Sequence, residues 1–440
     1  MGEQYRERSK VPTQATSGDD PAASVSALTA VGARRWSVVL LAAAFLTAAC
    51  DSNSVSEPVP TTVSTAPGQA SPPASVVAAS PWPAAMHDPM HSGTSLAIGP
   101  RSDVVRWHRD LGGNVTPGAV IGSDGSVLIA TNAGVLSALD PADGSTRWTF
   151  DGGSGYGNDL STSAAVLDDG SIVWPGPRGT LTGLSSSGVE QWQLDLGGFV
   201  LSPAVSPTGR IYAVTMSGTV NAIDIVGGVG VVAWTLETGG TAYGSPSIGP
   251  GGTVFTTGSQ SVVAVTDMGD RGVVKWTFAI DTLIEVSPAV TMGGIVVIGT
   301  NDGFQYGLRS SDGSVAWKIE RNADSYSSPV ASSGGTVYYG DHSATLYAVD
   351  GATGSVLRTT TTKAMVAGRS WGIWTAPVID ATGAAFYGTR SGHVFGVGGD
   401  GAVLFDLDIG GTVDSYPALD AGGTLYIGTS TGEFYAIGGH

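Results

Sequence analysis

The chain holds a single cysteine, Cys50, among 440 residues, so no disulfide can close within it. Charge is sparse and one-sided: 13% of residues are charged, with 20 Lys and Arg against 37 Asp and Glu, for a formal net charge of −17. Residues 1–50 carry five basic and four acidic side chains, which leaves −18 on the remainder. A surface this acidic repels phosphate backbones, and no basic cluster in the remainder overrides it, which excludes nucleic acid as a partner. The apolar run at 36–49 falls short of the roughly 20 residues that cross a bilayer comfortably. Long helices are disfavoured by the 66 glycines, since each costs about 1 kcal/mol in a helix relative to Ala. What is abundant instead is glycine with 11 Trp and 13 Tyr, a mixture that suits short strands joined by tight turns.

Arg34-Arg35, the apolar run and the small residues Ala48-Ala49 before Cys50 have the order of a secretory signal. They resemble the bacterial lipoprotein signal, with Thr47 where Leu is usual; that resemblance implies that Cys50 carries a lipid. Residues 1–50 are therefore expected to be a lipoprotein-type signal segment. Residues 51–80 are rich in Ser, Thr, Pro, Ala and Val, with Asp51 and Glu57 as the acids and no base. Such a stretch cannot bury enough apolar surface to order itself, so a disordered tether is expected there. A lead-in capping segment at 81–103 follows.

From 104 onward the sequence repeats. Trp107, Trp148, Trp192, Trp234, Trp276 and Trp317 recur at intervals of 41, 44, 42, 42 and 41, and the same register continues to Arg358 and Phe405. A proline step opens each unit, after a small residue at Pro117, Pro203, Pro246, Pro288, Pro329 and Pro377 and after Ser415-Tyr416 at Pro417, with Ser163-Ala164 in the second unit. Gly turns such as Asp124-Gly125 and Asp169-Gly170 come next, then β-runs such as 127–131, 296–300 and 425–429. Four short β-runs per unit, separated by turns every 8–12 residues, predict a four-stranded antiparallel blade, and a period near 42 predicts a propeller. Eight units are present. The last lacks a Trp-bearing strand, while the Trp107 strand precedes any unit that could own it. The expected fold is an all-β, eight-bladed β-propeller over 104–440, closed by the Trp107 strand pairing into the last blade. The Trp residues are expected to pack between blades.

Ala138-Leu139-Asp140 with Gly144 and Trp148 resembles the repeat of the pyrroloquinoline-quinone-type propellers, and Ala222-Ile223-Asp224 with Trp234 and Ala348-Val349-Asp350 with Gly354 echo it. The approach segment, with Trp82-Pro83, His87-Asp88 and His91-Ser92-Gly93, is similar to that of non-catalytic members. The resemblance covers 82–440 and departs at Arg358 and Phe405. The family includes quinone-dependent dehydrogenases, which have adjacent cysteines, a calcium site and in some cases a Cys-x-x-Cys-His haem motif; a chain with Cys50 alone cannot supply the cysteine features. It also includes BamB-like lipoproteins, whose resemblance implies eight blades, a lipid anchor and no catalysis.

No catalytic constellation, cofactor or metal site is expected. His87 and His91 are four apart around Asp88, a spacing that would make a metal pair on a helix, but Pro83 and Pro89 argue for a capping segment. Two inter-blade links are long: 151–161, with Tyr156 and Asp159, and 359–374, with Arg369, Trp371 and Trp374. Turns expected on the same face offer Arg178, Asp302, His342 and Arg390. Variable loops on a rigid scaffold carry binding, and Trp, Tyr and Arg dominate interface energetics. These nine residues are the candidate binding set, with the alternative that Trp371 and Trp374 plug a wide gap between blades. The expected function is a monomeric, lipid-anchored extracytoplasmic scaffold for a protein partner in envelope assembly, held at the outer face of the cytoplasmic membrane or at an outer membrane. The alternative is a propeller that binds or hydrolyses polysaccharide or a small molecule.

Overall fold

The computed structural model describes residues 80–153, 162–321, 323–362, 365–366, 369–370 and 372–438. Cys50, Tyr156, Asp159 and Trp371, with the signal segment and nearly all of the tether, lie outside them, and of Arg369 only the backbone is described. Among the described residues the strands form eight four-stranded antiparallel sheets and one two-stranded hairpin. The expected eight-bladed propeller is the observed fold.

Blades one to seven follow chain order from the inner strand outward; blade one, for instance, runs Val120–Ile121, Val127–Ala130, Val135–Leu139 and Thr146–Asp151. The second strand of each blade lies between neighbouring blades, so it is mostly apolar on both faces and buried along nearly its whole length, as at Val127–Ala130 and Leu425–Gly428. Outer strands face solvent on one side and alternate, as in Val315–Glu320, where Trp317 is the buried position. Blade eight is assembled from both ends of the repeat region. Val105–Asp110 pairs antiparallel with Glu433–Ile437, with Trp107 opposite Ala436 and Asp110 opposite Glu433. Gly438 N–H donates to Val104 O at 2.8 Å beside this seam.

A bulge recurs in every outer strand, next to the residue at the Trp position. That residue always faces Ala or Gly on the third strand: Trp148 opposite Ala138, Trp192 opposite Gly183, Trp317 opposite Gly307, Phe405 opposite Gly396. The bulge re-aims the ring toward the next blade, and the small partner leaves room for it. There the ring lies on a glycine. A Cβ at Gly144, Gly188, Gly230, Gly272, Gly313 or Gly354 would come within 2.4–2.8 Å of Trp107, Trp148, Trp192, Trp234, Trp276 or Trp317 in turn. Indole N–H groups donate to the same turns, from Trp107 to Pro141 O at 3.0 Å, Trp276 to Ser310 O at 3.0 Å and Trp317 to Gly351 O at 2.9 Å.

The two departures from Trp have physical reasons. Arg358 lays its stem on Gly401 and donates through Nη1 to Gly399 O, so it reproduces both the packing and the hydrogen bond of the indole. Phe405 faces blade eight, whose third and fourth strands come from opposite chain ends. No hairpin turn exists there to offer a carbonyl, and a ring without an N–H suits it. The small residues before the prolines also join blades. Ser163 N–H donates to Ser202 Oγ at 2.9 Å, Ser245 N–H to Ser287 Oγ at 2.9 Å and Ser287 N–H to Ser328 Oγ at 3.0 Å.

Between blades three and four the joint is ionic. Asp267 accepts from Trp234 Nε1 at 3.0 Å, Tyr212 Oη at 2.7 Å and Arg210 Nη1 at 2.8 Å, while Arg210 also grips Asp224 at 2.7 Å. Burial alone would raise the Asp267 pKa, but the donors from Tyr212, Arg210, Gly269 and Trp234 outweigh it and hold the carboxyl below its usual range. A carboxyl with a depressed native pKa contributes stability above its unfolded pKa, about 4, and loses it as pH falls through the native value. Asp267→Asn is therefore expected to cost about 2–3 kcal/mol at pH 7 and to flatten the acid limb of a stability–pH curve below about pH 4. Urea titrations at several pH values check this. Trp276→Ala, which empties one blade joint, is expected to cost about 3–5 kcal/mol in the same assay.

Candidate functional site

The propeller axis has two unlike mouths. One is crossed by residues 80–97, whose carbonyls accept the N–H of the second residue of successive inner strands. Trp82 accepts from Ile121, Pro83 from Val166, Pro89 from Ile248, Met90 from Val290, His91 from Ala331 and Gly93 from Ile379, at 2.6–3.1 Å. Six blades are thus stitched by one segment. Prolines suit it because its carbonyls do the bonding and its N–H groups are dispensable. His87 and His91 take separate partners here. His87 Nδ1 lies 3.1 Å from Asp88 Oδ2, whereas buried His91 donates from Nδ1 to Pro288 O at 2.8 Å. Burial lowers the His91 pKa against the pull of Pro288 O and Asp88. The pair serves capping, and no group of metal-binding side chains occurs among the described residues. Further along the axis, Tyr416 reaches from blade eight toward blade six, its hydroxyl 3.3 Å from Ser328 Oγ.

The opposite face carries the inter-blade links and the turns between second and third strands. Here the structure brings together His342, Trp374 and Arg390 from the candidate set. The turn after Thr336–Gly340 is built by Asp341, whose carboxylate accepts from Ser343 N at 2.9 Å, Ser343 Oγ at 2.6 Å and Thr345 N at 3.0 Å. His342 N–H then donates to Asp324 O at 2.9 Å. The following link passes directly over the turn: a Cβ at Gly372 would lie 2.1 Å from His342 Cα, so only glycine permits the approach. Ile373 N–H donates to Asp341 O at 3.0 Å and fixes Trp374 beside the imidazole.

The resulting pile is compact. Trp374 stacks on Tyr326 with ring centroids 4.4 Å apart and on His342 at 5.3 Å, and Tyr326 lies 4.8 Å from His342. Arg390 sets its guanidinium 3.9 Å from the Trp374 ring and pairs with Asp414 at 3.1 Å. Burial lowers the His342 pKa, while Asp324 and Asp341 oppose the shift, so the imidazole is neutral at pH 7. The pile spans blades six and seven, from the segment before blade six to the one before blade eight. Its chemistry is that of a half-buried aromatic ridge with one paired cation, able to take flat or apolar side chains at its open edges.

Arg178 and Asp302 do not join it. Arg178 is exposed on the turn of blade two with φ 63°, and Asp302 is exposed on blade five, where it accepts from Thr300 Oγ1 at 2.5 Å. Tyr326 and Asp414 belong to the ridge but were not in the candidate set. They sit in links of ordinary length, and link length was the signal used. The sequence also spells Gly368-Arg369-Ser370-Trp371-Gly372, the letters of a nucleophile elbow. Ser370, however, lies in a two-stranded hairpin, Arg369–Ser370 against Met365–Val366, and no helix follows it among the described residues. An elbow needs a strand-to-helix turn, so these letters do not make one.

Trp374 carries Tyr326 and Arg390 on its ring, and its replacement by Ala is expected to cost about 3 kcal/mol. Tyr326→Ala removes an edge of the same pile and is expected to cost about half as much. Paired urea denaturations of the two variants check the order.

The family described as outer membrane protein assembly factor BamB matches residues 21–265 and, in an overlapping register, 178–373. The BamB of Yersinia pestis is 27% identical over 144 residues, which cover 28% of this chain and 34% of that protein, so the chain spans about a third of that relative's length in the match. Among solved structures, BamB from Moraxella catarrhalis superimposes with a TM-score of 0.58 at 17% identity, covering 76% of this chain and 99% of that one. The quinohemoprotein alcohol dehydrogenase of Comamonas testosteroni superimposes with a TM-score of 0.63 at 15% identity, covering 82% and 81% of the two chains. Both structural likenesses show the fold alone. With most of its length matched by one repeat family, and with that family's propeller as its fold, the chain belongs to the outer membrane protein assembly factor BamB family.

Proposed function

We propose that this protein is a non-catalytic, extracytoplasmic scaffold that offers the ridge-bearing face to a protein partner in envelope assembly. The observation that carries the proposal is the asymmetry of the axis. One mouth is braced by a segment bonded to six blades, and Tyr416 reaches from blade eight to blade six, while the other face bears Tyr326, His342, Trp374 and Arg390 as one ordered pile. Rigid aromatic and Arg side chains lose little entropy on binding and are frequent anchors at interfaces. Membership of a family described as an assembly factor supports the same direction. Attachment through a lipid at Cys50 is part of the proposal, since it would hold the disc near the site of assembly; that residue lies outside the described ones.

Affinity capture from detergent-solubilised envelopes tests this. The full-length protein should retain a specific protein partner. The Tyr326→Ala/His342→Ala double variant should recover at least about tenfold less of it, a loss of roughly 1.4 kcal/mol or more in binding, while remaining folded. Retention of polysaccharide alone, or unchanged recovery by the double variant, would contradict the proposal.

A further inference from the structure

The residue that follows each outer strand occupies an equivalent place in all eight blades, because its N–H donates to a carbonyl at the turn between second and third strands. Leu111 donates to Gly432, Gly152 to Gly134, Leu196 to Gly179, Thr238 to Gly218, Ile280 to Gln260, Arg321 to Gly303, Thr362 to Ala344 and Ile409 to Gly392, at 2.8–3.0 Å. Seven of these are apolar, glycine or a short hydroxyl residue. Arg321 alone is charged.

Arg321 is 5% exposed and lies in the wedge between blades five and six. Its Nη2 donates to Thr300 O at 2.5 Å, but Nε and Nη1 have no acceptor among the described residues. Among the described residues, fully buried Gln305, on blade five, has no partner for either amide atom, and fully buried Tyr339, on blade six, has none for its hydroxyl. These groups converge. The Cβ position of Gly299 lies 3.1 Å from Gln305 Oε1 and 3.2 Å from Arg321 Nη1, and the guanidinium acts electrostatically on the Tyr339 phenol. Asp324 and Asp341 attract the guanidinium from a distance, yet neither forms an ion pair with it, and Asp341 is committed to Ser343, Thr345 and the Tyr347 hydroxyl at 3.1 Å. A buried cation surrounded by spare donors is costly unless a negative charge shares the site.

We propose that Arg321, Tyr339 and Gln305 form a binding site for a small monovalent inorganic anion, chloride in kind, between blades five and six. The donors suit it: guanidinium Nε–H and Nη1–H, the Tyr339 O–H, and the Gln305 amide with its NH₂ turned inward, an orientation that exchanges only O and N. Size decides against larger anions. With Gln305 and Tyr339 fully buried, a phosphate or an organic carboxylate would force the blades apart, which leaves a halide-sized ion as the occupant proposed. The anion would tie the third strand of blade five and the residue after its outer strand to the second strand of blade six, two residues from the turn that holds His342.

Two measurements on the folded protein test this. At constant ionic strength, replacing gluconate by chloride should raise the unfolding temperature by about 3 °C or more at saturation, because the ion binds the native state alone. Arg321→Leu, which installs the side chain that the equivalent places carry at Leu111 and Leu196, should abolish that response. Tyr339→Phe, which keeps the shape, should shift the chloride midpoint upward by about fivefold, the loss of one hydrogen bond. Crystals soaked in bromide should show an anomalous peak about 3.2–3.5 Å from Arg321 Nη1 and the Tyr339 hydroxyl. A chloride response that persists in Arg321→Leu, a response equal for all salts, or bromide peaks only at the surface would overturn the site.

Discussion

A ring of sheets has no beginning, whereas a polypeptide does, and the pairing of Val105–Asp110 with Glu433–Ile437 is where the two are reconciled. Every other blade is a local meander whose strands are neighbours in sequence. Blade eight is instead closed by contacts more than 300 residues apart, as when His108 meets Glu433 at 3.1 Å and Arg106 reaches Thr424 Oγ1 at 3.1 Å. Once that seam holds, each blade is pressed between two others and its apolar strands are buried on both faces. Open it, and blades one and eight each lose a wall. Circular closure therefore converts eight marginal sheets into one cooperative unit, with its edges confined to the outer rim.

The joints between blades show why the repeat could be read so far. The signal at 42-residue spacing is a large ring that must find three things at once: a small residue opposite it, a bulge to turn it and a glycine to receive it. Trp148 with Ala138 and Gly188 supplies all three, and each leaves a letter in the sequence. Arg358 was harder to read because its likeness to Trp is geometric and not chemical. Phe405 marks the one joint without a hairpin turn. The ridge was only half legible, since Gly372 and Trp374 stand in a long link but Tyr326 and Asp414 do not. Stacking across two separate links and a turn is a property of closure, and no local pattern encodes it. Buried Arg321 went unread for the same reason: its place among Leu111, Leu196 and Ile409 is visible only once their backbone hydrogen bonds align them.

The functional reading follows from the same geometry. The lead-in segment spends its carbonyls on six inner strands, so it braces the ring from within at one mouth of the axis. What the partner would meet is then the other face, where chain closure has already ordered the side chains of blades six and seven and their flanking links into a pile. Such preorganisation is what a scaffold contributes, because ordering costs are met during folding and not at the moment of binding.

Amide hydrogen exchange in Val105–Asp110 tests the closed ring most directly. The account predicts that these amides exchange only with global unfolding, with protection within about tenfold of that in Val127–Ala130 or Ile295–Gly299. If Val105–Asp110 exchanges like an exposed loop while those second strands remain protected, the seam is not what holds the propeller together.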